Sequence, residues 1–90
     1  MAVEVRIPTI LRTFTGGEKS VEGSGATLAQ VIDDVDSRHP GLKGRLIESE
    51  NLRRFINVYV NDEDVRFSGG LEAPTADGDV VVVLPAVAGG

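Results

Sequence analysis

The chain has 90 residues, which suits one domain with a small core and leaves little room for a deep catalytic pocket. It contains no cysteine and a single histidine, His39, which excludes disulfides and thiol chemistry and disfavours most zinc sites and catalytic triads. Its net charge of −5 opposes binding to nucleic-acid phosphates, so we expect no nucleic-acid partner and favour a basic protein partner.

The sequence carries no segment typical of secretion or membrane insertion. Charged residues begin at Glu4 and Arg6, where a signal peptide would need an apolar core. The longest apolar run, residues 80–88, contains a proline and is too short to cross a bilayer core of about 30 Å. We therefore expect a soluble, cytoplasmic chain without membrane contact.

The N-terminal region predicts a β-hairpin. Val3, Val5 and Ile7 alternate with charged residues, which is the pattern of a strand with one buried face. Residues 13–17 are turn material that ends in two glycines, and residues 19–22 can return as a second strand.

One main helix follows. Thr27 precedes Gln30 by three residues, the spacing of a capping box at a helix start. The next apolar residues recur at helical spacing, and they are Leu28, Val31, Ile32 and Val35. The helix should stop at residues 39–41, where His39 suits a helix C-terminus better than a catalytic role.

Residues 42–54 give a weaker pattern, for which we expect short helical turns at the edge of the core. This stretch holds a concentration of basic residues, namely Lys43, Arg45, Arg53 and Arg54. They can be explained by solvation of the surface or by contact with an acidic patch on a partner.

Residues 55–60 predict a strand, with Ile56, Val58 and Val60 on one face. The pair at 61–62 suits a hairpin turn, after which residues 65–67 are expected to pair back. The acidic runs at residues 33–36 and 62–64 lack convergent ligands and are interpreted as solvated surface, so we predict no metal site.

The final apolar run, residues 80–84, decides the predicted architecture. Continuous apolar residues are typical of a central strand, which is often parallel to a neighbour. We therefore predict an α+β fold in which the last strand lies between the first and third strands of a mixed sheet of four to five strands. One main helix crosses one face, and this arrangement is the β-grasp, or ubiquitin-like, fold.

A single helix leaves the other face of the sheet open. If Val81 and Val83 lie under the helix, then Val82 and Leu84 point outward. An apolar face of this kind often marks an interface, unless the 42–54 segment covers it. The predicted partner-docking face consists of Pro8, Phe55, Tyr59, Val82 and Leu84.

The chain ends in a sequence that predicts a flexible tail. We divide it into a domain, residues 1–84, and an extended tail, residues 85–90, which can reach roughly 20 Å. Pro85 should end the strand because it has no N–H for the ladder. Pro85, Ala86, Val87 and Ala88 would thread into a partner, and Gly89 and Gly90 would pass a narrow channel because they lack side chains.

Fold and tail together resemble the ubiquitin-like sulfur carriers of the MoaD and ThiS group. The resemblance rests on Asn61, Leu71, residues 77–80 and residues 85–90. A closer similarity, to carriers that serve a cysteine-forming pathway, rests on residues 7–12, 16–17, 19–21, 57–70 and 84–90.

The resemblance implies a chemistry in which this chain is a carrier and not an enzyme. An E1-like partner would use ATP and Mg²⁺ to adenylate Gly90, and a sulfur donor would then convert the terminus to a thiocarboxylate. The chain itself would bind no cofactor. The acceptor would be a cysteine synthase-like enzyme that uses O-phosphoserine, or a thiosugar- or thiazole-type synthase, and a metalloprotease would regenerate the tail.

Other functions stay open at this point. The chain could be the small subunit of a molybdopterin synthase, or a ubiquitin-like modifier that forms isopeptide bonds with lysines. It could also be a passive β-grasp binding module with an inert tail. For an independent enzyme we find no nucleophile or acid–base pair, and so we assign no catalytic residue.

Overall fold

The computed structural model describes residues 2–85. These residues form two α-helices, α1 (Leu28–Arg38) and α2 (Leu42–Leu46), and seven strands. The strands are β1 (Val3–Arg6), β2 (Ser20–Gly23), β3 (Ile47–Glu48), β4 (Asn51–Leu52), β5 (Ile56–Val60), β6 (Glu63–Asp64) and β7 (Val80–Pro85). Short 3-10 helices occupy Thr9–Thr15, Val65–Phe67 and Gly70–Glu72.

The main sheet has five strands in the order β2-β1-β7-β5-β6. Strand β7 lies between β1, to which it is parallel, and β5, to which it is antiparallel. The predicted position of the last strand and the mixed sheet are therefore confirmed. The hairpin of β1 and β2 is confirmed as well, with Val5 opposite Val21.

Helix α1 begins where the sequence predicts. The Thr27 side-chain oxygen accepts a hydrogen bond from the Gln30 N–H at 3.3 Å. Gln30 Oε1 in turn accepts from the N–H of Ala26, one residue before the position that a standard capping box would use. The four apolar residues of the predicted stripe are all buried, so the helix lies across one face of the sheet as expected.

The core combines that stripe with the inward residues of the sheet. Val3, Val5, Val58, Val81 and Val83 supply the sheet side. Helix α2 closes one edge with Leu42 and Leu46, which are almost fully buried. At about 25 cal/mol for each Å² of buried apolar surface, this cluster is the main source of stability.

Residues 42–54 are only partly as expected. Helix α2 is the predicted helical turn, but the segment then forms a two-stranded hairpin, β3 and β4, that the sequence pattern did not indicate. The Arg53 guanidinium donates to the Gly44 carbonyl at 2.8 Å and 3.0 Å, which fixes the end of the hairpin against α2.

The prediction that residues 65–67 pair back as a strand was wrong. The returning strand β6 is limited to Glu63–Asp64, and Val65–Phe67 is a 3-10 helix. The Asp64 carboxylate accepts from the Arg66 N–H at 2.9 Å and so caps this helix at its start, while Val65 is fully buried. The predicted turn at Asn61 and Asp62 is confirmed, since both residues have positive φ.

Candidate docking surface at the end of the central strand

Strand β7 carries the chain out of the centre of the sheet. Its last two residues, Leu84 and Pro85, lie opposite Asn57 and Ile56 of β5. Pro85 is the last residue of the strand and of the described part of the chain. Of the residues predicted to thread into a partner, Pro85 is therefore paired in the sheet. The other threading residues and the sulfur-carrying pair lie outside the described residues, and they are Ala86, Val87, Ala88, Gly89 and Gly90.

Side chains along β7 alternate between the two faces of the sheet. Val81 and Val83 are buried under α1, whereas Val82 is half-buried and Leu84 is 45% exposed. In the strand register, Val82 lies between Arg6 of β1 and Tyr59 of β5. The face opposite α1 therefore presents Val82, Leu84 and Tyr59 together, as the alternation predicts.

An open groove lies between the end of β1 and the end of β7. Its apolar lining comes from Pro8, Ile10, Val82, Leu84 and Pro85. Three cations, Arg6, Arg12 and Lys19, line the same groove. The structure thus brings three predicted docking residues, Pro8, Val82 and Leu84, to one surface beside the point where the tail begins.

Phe55 lies in a second depression on the other side of Pro85. Ile10, Leu11, Ile56 and Pro85 supply the rest of its apolar lining. Tyr59 lines neither depression. The five predicted docking residues are therefore distributed over two adjoining depressions and the sheet surface at Tyr59. Phe55 precedes β5 and lines its depression together with Ile10 and Leu11 of the 3-10 helix Thr9–Thr15.

Ile10 is a surface residue that the sequence analysis did not assign to docking. It is 64% exposed, and it lines both depressions. The neighbouring Leu11 is buried, so the apolar pair divides between core and surface. The signal was present as an apolar residue just after Pro8, but its exposure depends on the 3-10 helix that follows.

The basic residues of 42–54 also divide between two surfaces. Arg45, Arg53 and Arg54 line the depression beside Phe55. Lys43 instead contacts the Asp33 carboxylate of α1 at 2.5 Å. This hydrogen bond and the charge of Asp33 raise the pKa of Lys43 above its ordinary value.

Metal-binding clusters and membrane-spanning helices are both absent from residues 2–85. No group of three or more histidine or acidic side chains there is arranged to hold a metal ion. No helix in the same region is long and apolar enough to span a bilayer.

Comparisons with known proteins place the chain in a family. A family model described as the ThiS family matches residues 5–90. The chain is 58% identical over 93 residues to the sulfur carrier protein CysO of Mycobacterium tuberculosis, and the match covers 100% of both proteins. It is 34% identical over 93 residues to small archaeal modifier protein 3 of Haloferax volcanii, again with 100% of both covered.

A solved structure gives the same result for the fold. A chain in the crystal structure of the Amycolatopsis orientalis BexX/CysO complex is 72% identical and superposes with a TM-score of 0.95, covering 99% of this chain and 100% of that one. The sheet order, the single helix across one face and the full-length match agree with one another, and the chain belongs to the ThiS family of β-grasp, ubiquitin-like proteins.

Proposed function

We propose that the chain is a sulfur carrier that accepts and donates sulfur at its C-terminal Gly90. The observation that carries this proposal is the 58% identity to the sulfur carrier CysO over the full length of both proteins. The geometry supports it, because β7 directs the chain out of the sheet beside an exposed apolar face that a partner can contact.

The terminal carboxylate needs activation before it can accept sulfur. An unperturbed peptide α-carboxyl group has a pKa of about 3.3–3.7, so at neutral pH such a terminus is an anion and a poor electrophile. An E1-like partner would bind ATP and Mg²⁺, and a carboxylate oxygen would attack the α-phosphate with loss of pyrophosphate. A sulfur donor would then displace AMP and leave a thiocarboxylate at Gly90.

The composition of the chain is compatible with this step. It has no cysteine, so no internal thiol can capture the acyl-adenylate before the sulfur donor does. For the acceptor we propose a cysteine synthase-like enzyme that uses O-phosphoserine, with a thiosugar or thiazole synthase as the alternative. A metalloprotease would then release the product and restore the tail, and all of these reactions would take place in the cytoplasm.

Intact mass tests the proposal directly. After incubation with ATP, Mg²⁺, an E1-like enzyme and sulfide, the wild-type chain should gain the mass difference between sulfur and oxygen. A variant with one alanine added after Gly90 is the matched control, because its fold is unchanged but its carboxylate is displaced. Equal sulfur gain in both proteins, or none in the wild type, would contradict the proposal.

A protein-modifier function is the second candidate, and the 34% identity to small archaeal modifier protein 3 is the observation that favours it. A modifier would form isopeptide bonds between Gly90 and lysines of other proteins. The same incubation, carried out in a cell extract, separates the two functions. Conjugates of higher mass that depend on Gly90 indicate a modifier, and a thiocarboxylate without conjugates indicates a carrier.

A further inference from the structure

Positive charge is concentrated around the point where the tail begins. Six of the nine lysines and arginines line the two depressions beside Pro85, and they are Arg6, Arg12, Lys19, Arg45, Arg53 and Arg54. Among residues 2–85, only two carboxylates, Glu4 and Glu48, line the same depressions. Arg66 adds a further cation close by, since it donates to the Asn57 side chain and to the Ile56 carbonyl.

Four of the six cations that line the depressions have no carboxylate partner within residues 2–85. Arg6 pairs with Glu4 at 2.8 Å and Arg53 with Glu48 at 3.4 Å. The cations without such a partner are Arg12, Lys19, Arg45 and Arg54. We call them the tail-end cations.

Aromatic rings hold two of the tail-end cations in place. The Arg45 guanidinium lies 5.4 Å from the centre of the Phe14 ring, and that of Arg54 lies 5.8 Å from the centre of the Phe55 ring. Contacts of this kind favour a cation over the ring face. At exposed sites such contacts are weak, so they favour these positions for two of the four charges without fixing them.

Acidic residues occupy the opposite end of the sheet. Asp77 and Asp79 flank the turn that leads into β7, and Asp62 and Glu63 lie at the turn between β5 and β6. Because β7 runs from Val80 to Pro85, these turns and the tail lie at opposite ends of the same strand. A chain of net charge −5 thus has a positive end, which is the end that bears the tail.

We propose that the tail-end cations dock against an acidic rim around the tail-binding channel of the partner enzyme and orient the carrier tail first. This inference rests on the proposed function and develops the alternative that basic residues of 42–54 contact an acidic patch on a partner. It differs from the expectation of a basic partner, which follows from net charge. The occupant is a protein surface and not a nucleic acid, because exposed Ile10, Phe55 and Leu84 lie among the cations and would meet apolar side chains.

The physical consequence concerns the rate of association. Complementary potentials steer diffusional encounter and raise association rate constants by about 10- to 1000-fold at low salt. The carrier has opposite charges at its two ends, so an acidic channel would attract the tail end and repel the other. Salt should weaken this effect, because exposed charges are screened beyond about 10 Å at 0.1 M ionic strength.

Two charge-matched double variants test the inference with BexX from Amycolatopsis orientalis as the probe, because BexX forms a complex with a CysO and the matched chain of that complex is 72% identical to this one. The test variant is Arg45→Gln with Arg54→Gln. The control is Arg38→Gln with Lys43→Gln, which removes the same charge from α1 and its neighbour, where both cations are already paired with aspartates. Association rate constants are measured by stopped-flow fluorescence over a series of NaCl concentrations.

The test variant should associate about tenfold more slowly than the wild type at low salt, with a flatter salt dependence. The control should stay within about twofold of the wild type. An Arg45→Lys with Arg54→Lys variant keeps the charge and should recover most of the rate, which separates steering from loss of packing on Phe14 and Phe55.

Several outcomes would overturn the inference. These are equal rates and equal salt slopes for the test and control variants, no binding of BexX by the wild type, or tighter binding of a labelled single-stranded DNA than of BexX. Sulfur loading of the same protein variants is measured by intact mass after incubation with ATP, Mg²⁺, an E1-like enzyme and sulfide. If loading is normal while the rates are unaffected, the inference fails and the carrier function stands, whereas absent loading in the wild type contradicts the carrier function itself.

Discussion

Gly25 lies where the chain passes closest to the start of α1. A Cβ added there would lie 2.6 Å from the Gln30 Cβ and 2.8 Å from the Val31 nitrogen. The backbone cannot easily move away, because the Gly25 carbonyl accepts a hydrogen bond from the Thr75 hydroxyl at 2.9 Å. Glycine at this position is therefore required by space, and not by an unusual φ.

Gly25→Ala should therefore lower the free energy of unfolding by about 1–3 kcal/mol, because the added methyl group overlaps helix backbone and the Gln30 Cβ, which moves only with that backbone. Gly44→Ala is the matched control. No atom lies within 4 Å of its added Cβ, and it is inside helix α2, so it should be neutral or more stable by up to about 1 kcal/mol. Urea unfolding measures both, and equal midpoints would contradict the argument.

The turn of the β3–β4 hairpin has a left-handed backbone conformation that its two residues do not favour. Its turn residues Ser49 and Glu50 both have positive φ, at 52° and 67°. A two-residue turn with both φ positive prefers Asn-Gly, since left-handed backbone costs other residues roughly 1–2 kcal/mol each. The hairpin therefore holds its turn through contacts elsewhere, such as that of Arg53 with α2.

Replacing Ser49 by Asn and Glu50 by Gly should therefore stabilise the protein. We expect a gain of about 1 kcal/mol, or about 4–8 °C in Tm for a domain of this size. Thermal unfolding followed by circular dichroism measures it. Glu50→Ala keeps the unfavourable backbone and serves as the control that should gain little, so an equal gain in the two variants would assign the effect to loss of the Glu50 charge.

The elements that sequence could predict are those with a sustained period. Val3, Val5 and Ile7 define β1, and the spacing of Leu28 to Val35 defines α1. The β3–β4 hairpin has only two residues in each strand, which is too short for alternation to show. Val65–Phe67 has strand-like residues, but the Asp64 cap and the burial of Val65 favour a 3-10 helix there.

In the whole molecule, the sheet order followed from the continuous apolar run of β7, whereas the docking surface was predictable only in part. The alternation of Val81 to Leu84 gave the open face correctly. Ile10 and Phe55 line the same depression because the 3-10 helix Thr9–Thr15 lies beside the start of β5. The spacing of apolar residues in the sequence does not indicate this contact between distant segments. The sequence also showed the basic residues of 42–54, but only the fold shows that Arg6, Arg12 and Lys19 lie at the same end of the sheet.

Adjacent residues of β7 face opposite sides of the sheet, so a substitution at one should affect stability and a substitution at the other should affect docking. Val83 is 2% exposed and faces the core, so Val83→Ala should cost about 2 kcal/mol in unfolding free energy. Leu84 is 45% exposed on the other face, and Leu84→Ala should cost less than about 1 kcal/mol. If the open face contacts the partner, only Leu84→Ala should weaken binding to BexX, by about tenfold when Leu84 is a main contact.

Unfolding in guanidinium chloride measures the loss of stability in each variant. Calorimetric titration against BexX measures the loss of binding. Binding is compared below the unfolding transition, so that a lower population of folded Val83→Ala does not imitate weaker docking. Val83 and Leu84 are consecutive residues of the same strand, so the two substitutions lie almost equally far along the chain from the tail. A loss of affinity that follows the loss of stability in both variants would mean that β7 only supports the fold, and that the partner contacts another surface.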